Sequence, residues 1–279
     1  MDPQVLAAGV IGLILSLLTI FFLGGTIPRK AVLSKEEWRH FKLISKTPVS
    51  KTSAIYRFAL PRSSDSLDLP IGQHVFVRAM VNGRHAMRSY TPITVSRTKG
   101  YFDLMVKTYP TGTVSRHFDQ LEVGDTMEFK GPKGQFRYSP NLVQHMGLIA
   151  GGTGITPVLQ VVLHSLENPD DHTRFDLIYA NQTEDEILLK DVLDELSQKY
   201  PDRFSVHYFL DVPPPGWTEG VGFVTKEAME KYLVGPDGDC KVLMCGPPPM
   251  IAAMKKNLTA LGYPAARAVS QTEDMVFCF

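Results

Sequence analysis

The chain has 279 residues, of which 44% are hydrophobic, and this composition is sufficient for one or two globular domains and excludes a disordered protein. Its 29 basic and 29 acidic residues give a formal net charge of zero, which does not favour nucleic acid as a partner. The cysteines, Cys240, Cys245 and Cys278, have neither CxxC nor CxH spacing, so no zinc or iron-sulfur site can be built from them.

The N-terminal segment is the most apolar part of the sequence. Residues 5–23 are almost wholly apolar, and no charged residue occurs between Asp2 and Arg29. Because about 20 helical residues cross the roughly 30 Å hydrocarbon core of a bilayer, residues 1–28 are predicted to form a transmembrane helix. A cleaved signal peptide is the alternative, although such peptides usually begin with a basic region. Arg29 and Lys30 follow the apolar run, so we expect the remaining chain to face the cytosol.

A charged connector, residues 29–37, leads into a region of short alternating segments separated by turn residues. The predicted strands there are Ser53–Ala59, His74–Ala79, Tyr101–Thr108 and Thr126–Gly131. Their spacing predicts a small antiparallel β-barrel domain over residues 38–142, with one helix at Thr113–Leu121.

From residue 143 to residue 279 the pattern alternates between strand and helix. The predicted strands are Met146–Ala150, Phe175–Asn181, Phe204–Asp211, Lys241–Cys245 and Met275–Phe279, and the predicted helices are Pro157–Leu166, Ile187–Tyr200, Thr225–Leu233 and Pro249–Leu261. Such alternation predicts a doubly wound α/β domain, in which helices cover both faces of a parallel sheet. We expect the junction between the two domains at Tyr138–Gln144.

A glycine-rich run, Gly151-Gly152-Thr153-Gly154-Ile155-Thr156-Pro157, lies between a predicted buried strand and a predicted helix. Free N–H groups at a helix start attract phosphate, and glycines let an anion approach the backbone. Thr156 suits the helix cap and Pro157 suits the first turn. The run is neither the GxGxxG fingerprint nor a P-loop, and a tight turn without a ligand is the alternative.

A second run, Cys245-Gly246-Pro247-Pro248-Pro249-Met250, also follows a predicted strand and precedes a predicted helix. Ligands of doubly wound sheets bind at the carboxyl ends of the strands, so the two loops are expected to enclose one dinucleotide. Cys245 is expected at the rim of that site. A lone cysteine at a strand end is more often a small core residue than a reactive thiol.

A third run, Arg88-Ser89-Tyr90-Thr91, is predicted to lie between strands of the barrel. It offers a guanidinium for a pyrophosphate, a ring to cover a planar heterocycle and a hydroxyl for its polar edge. The alternative is that these are exposed surface side chains that bind no ligand. The start of the predicted helix offers a second phosphate site at Gly112, Thr113, Val114 and Ser115. The alternative is that this helix only closes one end of the barrel and binds no phosphate.

Asp211 ends a predicted strand of the second domain. A carboxylate near the adenosine ribose of a dinucleotide accepts hydrogen bonds from the 2′-hydroxyl and repels a 2′-phosphate, which favours NADH over NADPH. The alternative is a turn-forming aspartate before Pro213, Pro214 and Pro215.

Together with the context sequences QHVFVRA, LMVKTY, LIAGGTGITPVLQV and YANQTEDEILL, the three runs resemble the NADH-cytochrome b5 reductase family, most strongly its fungal members with an N-terminal anchor. The resemblance covers residues 38–279. It implies a ferredoxin-reductase-like fold, in which an antiparallel barrel binds FAD and the α/β domain binds NADH.

The resemblance also implies roles for individual residues. In that family Arg88 would hold the FAD pyrophosphate, Tyr90 would cover the isoalloxazine and Thr91 would address flavin N5. Further FAD contacts would come from Met105, Lys107, Tyr109, Gly112, Thr113, Val114 and Ser115, and NADH contacts from Gly151 to Pro157, Asp211, Cys245 to Met250 and Phe279. Thr91, Lys107 and Cys245 would stand at the reacting centre. Cys278 departs from the family, whose chains end in Phe-Val-Phe.

The implied reaction is hydride transfer from NADH to FAD, followed by single-electron transfer to cytochrome b5 for sterol and fatty-acid enzymes. Fungal relatives are also linked to a small redox protein of diphthamide synthesis. The anchor fits either the endoplasmic reticulum or the mitochondrial outer membrane, and the docking face for cytochrome b5 is unassigned. Two alternatives are another ferredoxin-reductase-like flavoprotein with a different acceptor, and a membrane-tethered dinucleotide-binding module without turnover.

Overall fold

The computed structural model describes residues 31–95 and 97–279. The predicted transmembrane helix, residues 1–28, lies outside these ranges. Among the residues described, no helix combines the length and apolar character needed to cross a membrane.

The first half of the described chain forms an antiparallel sheet of six strands in the order β4-β3-β6-β1-β2-β5. The strands are β1 (Arg39–Pro48), β2 (Ser53–Ala59), β3 (His74–Val81), β4 (Arg84–Tyr90), β5 (Tyr101–Lys107) and β6 (Thr126–Lys133). One helix, α1 (Val114–Gln120), follows β5. The N–H of Ile93 donates to the carbonyl of Asp103 at 3.0 Å, which joins the segment after β4 to β5. The predicted antiparallel architecture is therefore confirmed.

Aromatic rings form much of the core that this sheet buries. The Phe58 ring lies 4.9 Å from Phe129 and 5.5 Å from Phe102, and α1 adds Phe118 at 5.0 Å from Tyr56. All five side chains are at most 1% exposed, because successive strand residues alternate between the interior and the outer face. Aromatic packing thus fixes α1 against the sheet.

Strands β1 and β4 were not predicted from the sequence. In β1 only Phe41 and Leu43 are buried, and the strand is otherwise rich in charged and polar residues. Strand β4 has the sequence RHAMRSY and no fully buried residue. The prediction that Arg88 and Tyr90 lie between strands is wrong, since both belong to β4 and only Thr91 follows it. Polar strands, such as the inner strand β1 and the edge strand β4, lack the apolar alternation on which strand prediction depends.

The second half forms a parallel sheet in the order β10-β9-β8-β7-β11-β12. Its strands are β7 (His145–Gly151), β8 (Arg174–Asn181), β9 (Phe204–Leu210), β10 (Gly220–Val221), β11 (Cys240–Cys245) and β12 (Val276–Cys278). Its helices are α2 (Ile155–Leu166), α3 (Lys190–Lys199), α4 (Lys226–Tyr232) and α5 (Pro248–Ala260). The strand order reverses beside β7, where the chain first builds outward through β8 and later returns to β11.

Helices cover both faces of this parallel sheet. Leu148 of β7 packs in one core with Val158 of α2, and its neighbour Ile149 packs in another with Met254 of α5. The predicted doubly wound arrangement is confirmed. Helix α3 begins at Lys190 rather than at the predicted Ile187, because Leu189 has a positive φ of 59° that a continuous helix cannot contain.

Candidate functional site

A cavity of about 420 Å³ lies at the carboxyl ends of the parallel strands. Its lining includes Gly151 at the end of β7, Gly152 after it, Asn181 at the end of β8, Asp211 after β9, Pro247 and Met250 after β11, and Lys107 and Tyr109 from the antiparallel half. The switch in strand order lies beside β7, where a doubly wound sheet binds its ligand. Both halves of the described chain therefore contribute to one site.

The two predicted nucleotide loops meet at this cavity. A Cβ atom on Gly151 would lie 2.5 Å from Met250 Sδ and 2.9 Å from Pro247 Cδ, and one on Gly154 would overlap the Cys245 carbonyl. Side chains at either glycine would force the loops apart. The glycines are required by this close approach of two backbones as well as by any bound anion.

Within the first loop, Gly152 faces open space. Its φ is +53°, and a Cβ atom placed on it would have no neighbour within 4 Å. Its carbonyl accepts a hydrogen bond of 2.9 Å from the buried Tyr179 hydroxyl, which fixes the backbone at the cavity edge. The loop thus leaves room for a ligand at the start of α2.

The prediction that Thr156 caps the helix is wrong. Gly154 occupies the cap position, and the Thr156 hydroxyl donates to the Thr153 carbonyl at 3.2 Å. Thr156 is buried in the first turn, where a short hydrogen-bonding side chain stabilises the loop from behind. Pro157 lies in the first turn of α2 as predicted.

Asp211 is exposed and borders the cavity immediately after β9. Its backbone N–H donates to the carbonyl of Asn181 at 3.1 Å, which holds the ends of β8 and β9 together. Phe223, 82% exposed, lines the same cavity. Sequence reasoning missed Phe223, because it lies in an irregular segment that carries no motif.

Cys245 is half-buried at the end of β11, where the second nucleotide loop begins. Burial, with a smaller contribution from Cys278, raises the pKa of the Cys245 thiol to about 12. The thiol is therefore uncharged at neutral pH, which makes it a poor nucleophile. Burial also raises the pKa of Cys278, on the neighbouring strand β12.

Two predicted cofactor residues belong to packed cores. Met105 of β5 is 3% exposed and packs with Phe136 in the core of the second half. The Phe279 ring lies 5.7 Å from Phe136 and 5.1 Å from Phe277, and its N–H donates to the Met244 carbonyl at 3.0 Å. These residues join the antiparallel half to the parallel sheet and do not line the cavity.

The predicted FAD residues converge where β4 meets α1. Arg88 and Tyr90 lie two residues apart on one face of β4, since strand side chains alternate. The Tyr90 ring packs 5.1 Å from Phe118 of α1, and burial is the main reason that the Tyr90 pKa is raised. Arg88 is exposed and donates to the carbonyl of Met87 at 2.7 Å. Thr91 is buried directly after the strand.

The start of α1 is held by a tight turn. The hydroxyl of Ser115 accepts a hydrogen bond of 3.3 Å from the N–H of Tyr109, and Gly112 leaves no space for a Cβ beside that hydroxyl. Thr113 occupies the cap position without a side-chain cap, while Val114 is buried. The turn links the helix start to the end of β5, from which Lys107 and Tyr109 reach the cavity.

Lys107 forms an ion pair of 3.1 Å with Glu186, which lies in the short 3-10 turn Glu184–Glu186 after β8. Sequence reasoning assigned no role to Glu186 or to Asn181, although both line the cavity. The position of Asn181 at a strand end was a usable signal, since parallel strands end at one edge. Nothing in the local sequence distinguishes Glu186 from its acidic neighbours.

The residues present fit both a flavin and a pyridine dinucleotide. Arg88 has no carboxylate partner among the residues described, as expected for a guanidinium that binds pyrophosphate. Gly152 faces open space at a helix start, and Glu186 Oε2 is a buried acceptor without a donor in the described part of the chain. These features suit a ligand that carries both phosphates and hydroxyl or amide donors.

Comparison with known proteins agrees with this assignment. Residues 40–138 match the oxidoreductase FAD-binding domain, and residues 148–256 match the oxidoreductase NAD-binding domain. The two sheets and their site therefore define an oxidoreductase that binds FAD and NAD.

Relatives specify the class further. NADH-cytochrome b5 reductase 1 of Mycosarcoma maydis is 50% identical over 279 residues, which cover 100% of this chain and 86% of that protein. The protein of the same name from Meyerozyma guilliermondii is 50% identical over 278 residues, covering 100% of this chain and 98% of that protein. The crystal structure of the cytochrome b5 reductase domain of Ulva prolifera nitrate reductase superposes with a TM-score of 0.82 at 36% identity, covering 90% of this chain and 100% of that chain. The chain belongs to the NADH-cytochrome b5 reductase family.

Proposed function

We propose that this chain passes electrons from NADH, through bound FAD, to cytochrome b5. The observation that carries the proposal is the shared cavity, in which Lys107 and Tyr109 of the flavin-binding half face the nucleotide loops of the other half. A dinucleotide held by those loops would lie next to β5, the strand that leads to the proposed flavin site. The names of the full-length relatives supply cytochrome b5 as the acceptor.

The nucleotide loops would bind and orient NADH. Gly151, Gly152, Thr153, Gly154 and Thr156 would bring backbone N–H groups to its phosphates, and Pro157 would fix the first turn of the helix behind them. Cys245, Gly246, Pro247, Pro248 and Met250 would form the opposite wall. Asp211 would accept hydrogen bonds from the adenosine ribose. The Cys245 thiol would contribute to the wall by packing and not as a nucleophile, because its raised pKa keeps it uncharged at neutral pH.

The flavin-binding half would hold FAD on β4 and α1. Arg88 would bind the pyrophosphate, Tyr90 would cover the ring system and Thr91 would hydrogen-bond its edge, with Gly112 to Ser115 at the phosphates. Bound FAD supplies the chemistry that accepts a hydride and releases single electrons. Lys107 would place a positive charge between the two cofactors.

The N-terminal segment would attach the protein to a membrane, with the catalytic part in the cytosol. The apolar run of residues 5–23 and the positive charges of Arg29 and Lys30 support this proposal. We further propose residues 38–142 and 143–279 as the two cofactor-binding domains. The mitochondrial outer membrane and the endoplasmic reticulum are both consistent with the sequence.

Turnover with alternative acceptors tests the proposal. Purified full-length protein loaded with FAD is supplied with NADH and either oxidised cytochrome b5 or oxidised ferredoxin. We expect rapid reduction of cytochrome b5 and little reduction of ferredoxin. A preference for ferredoxin would contradict the proposed acceptor while leaving the cofactors intact.

A further inference from the structure

Glu186 and Lys107 join the two halves of the described chain across the wall of the cavity. Lys107 ends β5 of the antiparallel sheet, and Glu186 lies in the turn that follows β8 of the parallel sheet. Their charged atoms, Nζ and Oε1, are 3.1 Å apart, and the side chains are only 16% and 21% exposed. The pair is therefore shielded from solvent far more than an ordinary surface ion pair.

The second oxygen of Glu186 is the unusual feature. Glu186 Oε2 is buried and has no hydrogen-bond partner among the residues described. A carboxylate oxygen that has lost its water without gaining a donor is energetically unfavourable. Glu186 lines the cavity, so a small rotation of its carboxylate would bring this oxygen to an O–H or N–H group of a bound ligand, which would supply the missing donor.

Two other ion pairs of the chain show the contrast. Arg57 donates to both oxygens of Asp103 at 2.8 and 2.9 Å, and Arg78 donates to both oxygens of Glu128 at 2.7 and 2.5 Å. Neither pair lines the cavity. The carboxylates of these two pairs use both oxygens, whereas Glu186 leaves one buried oxygen without a donor among the residues described, beside the binding site.

We propose that Glu186 has two roles in dinucleotide binding, an inference that rests on the proposed function. Oε2 accepts a hydrogen bond from a donor of the dinucleotide, either a ribose hydroxyl or the carboxamide N–H. Oε1 positions Lys107, so that its ammonium group remains beside the cavity before the nucleotide arrives. Glu186 is thereby a ligand-binding residue and also a positioning residue for Lys107.

Glu186→Gln tests the direct contact. The amide keeps the size of the side chain but loses the charge, and it cannot serve both Lys107 and a ligand donor as a carboxylate does. Binding of NAD⁺ to full-length, flavin-loaded protein is measured by calorimetry, since the oxidised nucleotide does not react with oxidised flavin. We expect the Kd for NAD⁺ to rise about tenfold, as for loss of a charge-assisted hydrogen bond.

Asp185→Asn is the matched control, because it removes the same charge from an exposed neighbour in the same turn. Its Kd for NAD⁺ should equal that of the unaltered protein. The Kd of Glu186→Asp should lie between those of the unaltered protein and of Glu186→Gln. Unaltered flavin content and Tm verify that the variants fold. A Kd for Glu186→Gln within twofold of the unaltered protein would overturn the direct contact.

ADP-ribose, which lacks the nicotinamide and its carboxamide, distinguishes the two donors. An equal loss of affinity for NAD⁺ and ADP-ribose in Glu186→Gln assigns the donor to a ribose, and a loss for NAD⁺ alone assigns it to the carboxamide. Both results support the contact. Loss for neither ligand contradicts it.

The positioning role is tested by combining Glu186→Gln with Lys107→Met. If Glu186 acts partly through Lys107, its substitution weakens NAD⁺ binding less in the Lys107→Met protein than in the unaltered protein. Equal effects in both backgrounds would overturn the positioning role. These binding data do not depend on the electron acceptor, so failure to reduce cytochrome b5 would contradict the proposed function and leave this test valid.

Discussion

Asp211 and Glu186 are two carboxylates of one cavity, and their surroundings give them different expected roles. Asp211 is exposed after β9, where its charge meets whatever enters from solvent. Glu186 is largely buried and already paired with a cation. We therefore expect Asp211 to discriminate between nucleotides and Glu186 to strengthen the binding of all of them.

Substitution of Asp211 tests the discrimination. We expect Asp211→Ser to raise kcat/KM for NADPH relative to that for NADH by about tenfold or more, because repulsion between like charges at a binding site costs several kcal/mol. Asp237→Ser, at an exposed aspartate of another loop, should leave the ratio unchanged. An unaltered ratio in Asp211→Ser would remove the basis for the predicted NADH preference.

For individual residues, the sequence predicted candidates from residue type and from position at a strand end. It did not predict which residues they contact in the fold. Asp211 was recognised because it ends a strand, and the glycines of both loops because they interrupt a strand and helix pattern. Glu186 was missed because its importance depends on an unpaired oxygen and on Lys107, 79 positions earlier in the chain. A contact over such a separation appears only once the fold is known.

The loops after β7 and β11 behave as one element, because their backbones touch. A Cβ atom on Gly154 would overlap the Cys245 carbonyl, which cannot move independently of β11. The elements proposed to hold FAD, β4 and α1, belong to the antiparallel half. A substitution that disrupts the paired loops should therefore weaken the binding of NAD⁺ and leave the binding of FAD intact.

Gly154→Ala provides that separation. We expect it to lower the free energy of unfolding by about 1–3 kcal/mol, as for overpacking, and to weaken NAD⁺ binding at least tenfold while flavin content is retained. Thermal denaturation and calorimetry provide the two measurements. Gly235→Ala is the control, since its new Cβ would have no neighbour within 4 Å. Normal nucleotide binding by Gly154→Ala would show that the loops need not touch.

The segment that connects the two sheets is tied down by a buried carboxylate. Asp171 is fully buried and accepts hydrogen bonds from the Tyr138 hydroxyl at 2.6 Å, the Thr173 N–H at 3.1 Å and the Asn141 N–H at 3.2 Å. Burial opposes ionisation, but these hydrogen bonds outweigh it and lower the pKa of Asp171. Its carboxylate therefore stabilises the folded chain wherever it is ionised.

We expect Asp171→Ala to lower the free energy of unfolding at pH 7 by about 2–4 kcal/mol, because several buried donors lose their acceptor. A carboxyl with a lowered folded pKa contributes stability above its unfolded pKa of about 3.9 and loses it as the pH falls through the folded pKa. The difference between the two proteins should thus shrink below about pH 4. Chemical denaturation at several pH values measures it. Asp170→Ala, at an exposed neighbour, should have little effect, and a constant difference at all pH values would contradict the role of the charge.

Elements with a strong apolar pattern were predicted well, and polar ones were not. Strand β2 matches its predicted bounds, and helix α5 differs by one residue at each end. Strands β1 and β4 were missed because most of their residues are exposed and polar or charged, so neither shows an apolar pattern. Strand β1 pairs with the distant β6, whereas β4 pairs with β3 across the two-residue turn Asn82-Gly83. The predicted start of α3 was three residues too early, because the left-handed backbone of Leu189 interrupts a sequence pattern that otherwise favours helix.

At the scale of the whole molecule, Val32–Phe279 forms one compact unit that contains the residues matched to the FAD-binding and NAD-binding domains. The apolar N-terminal sequence is therefore expected to determine location and not catalysis. Removal of residues 1–28 should abolish flotation with phospholipid vesicles, whereas the full-length protein should float with them. The truncated protein should retain its activity toward soluble cytochrome b5. Flotation of the truncated protein would contradict the proposed anchor.

NADH and FAD are proposed to meet in the cavity between the two halves and to deliver electrons to cytochrome b5. Anaerobic rapid mixing of full-length, flavin-loaded protein with one equivalent of NADH, and then with oxidised cytochrome b5, tests this claim most directly. We predict that NADH bleaches the visible absorbance of the flavin and that cytochrome b5 restores it, with two equivalents of cytochrome reduced per NADH. A flavin that NADH does not bleach, or that cytochrome b5 does not reoxidise, would contradict the account.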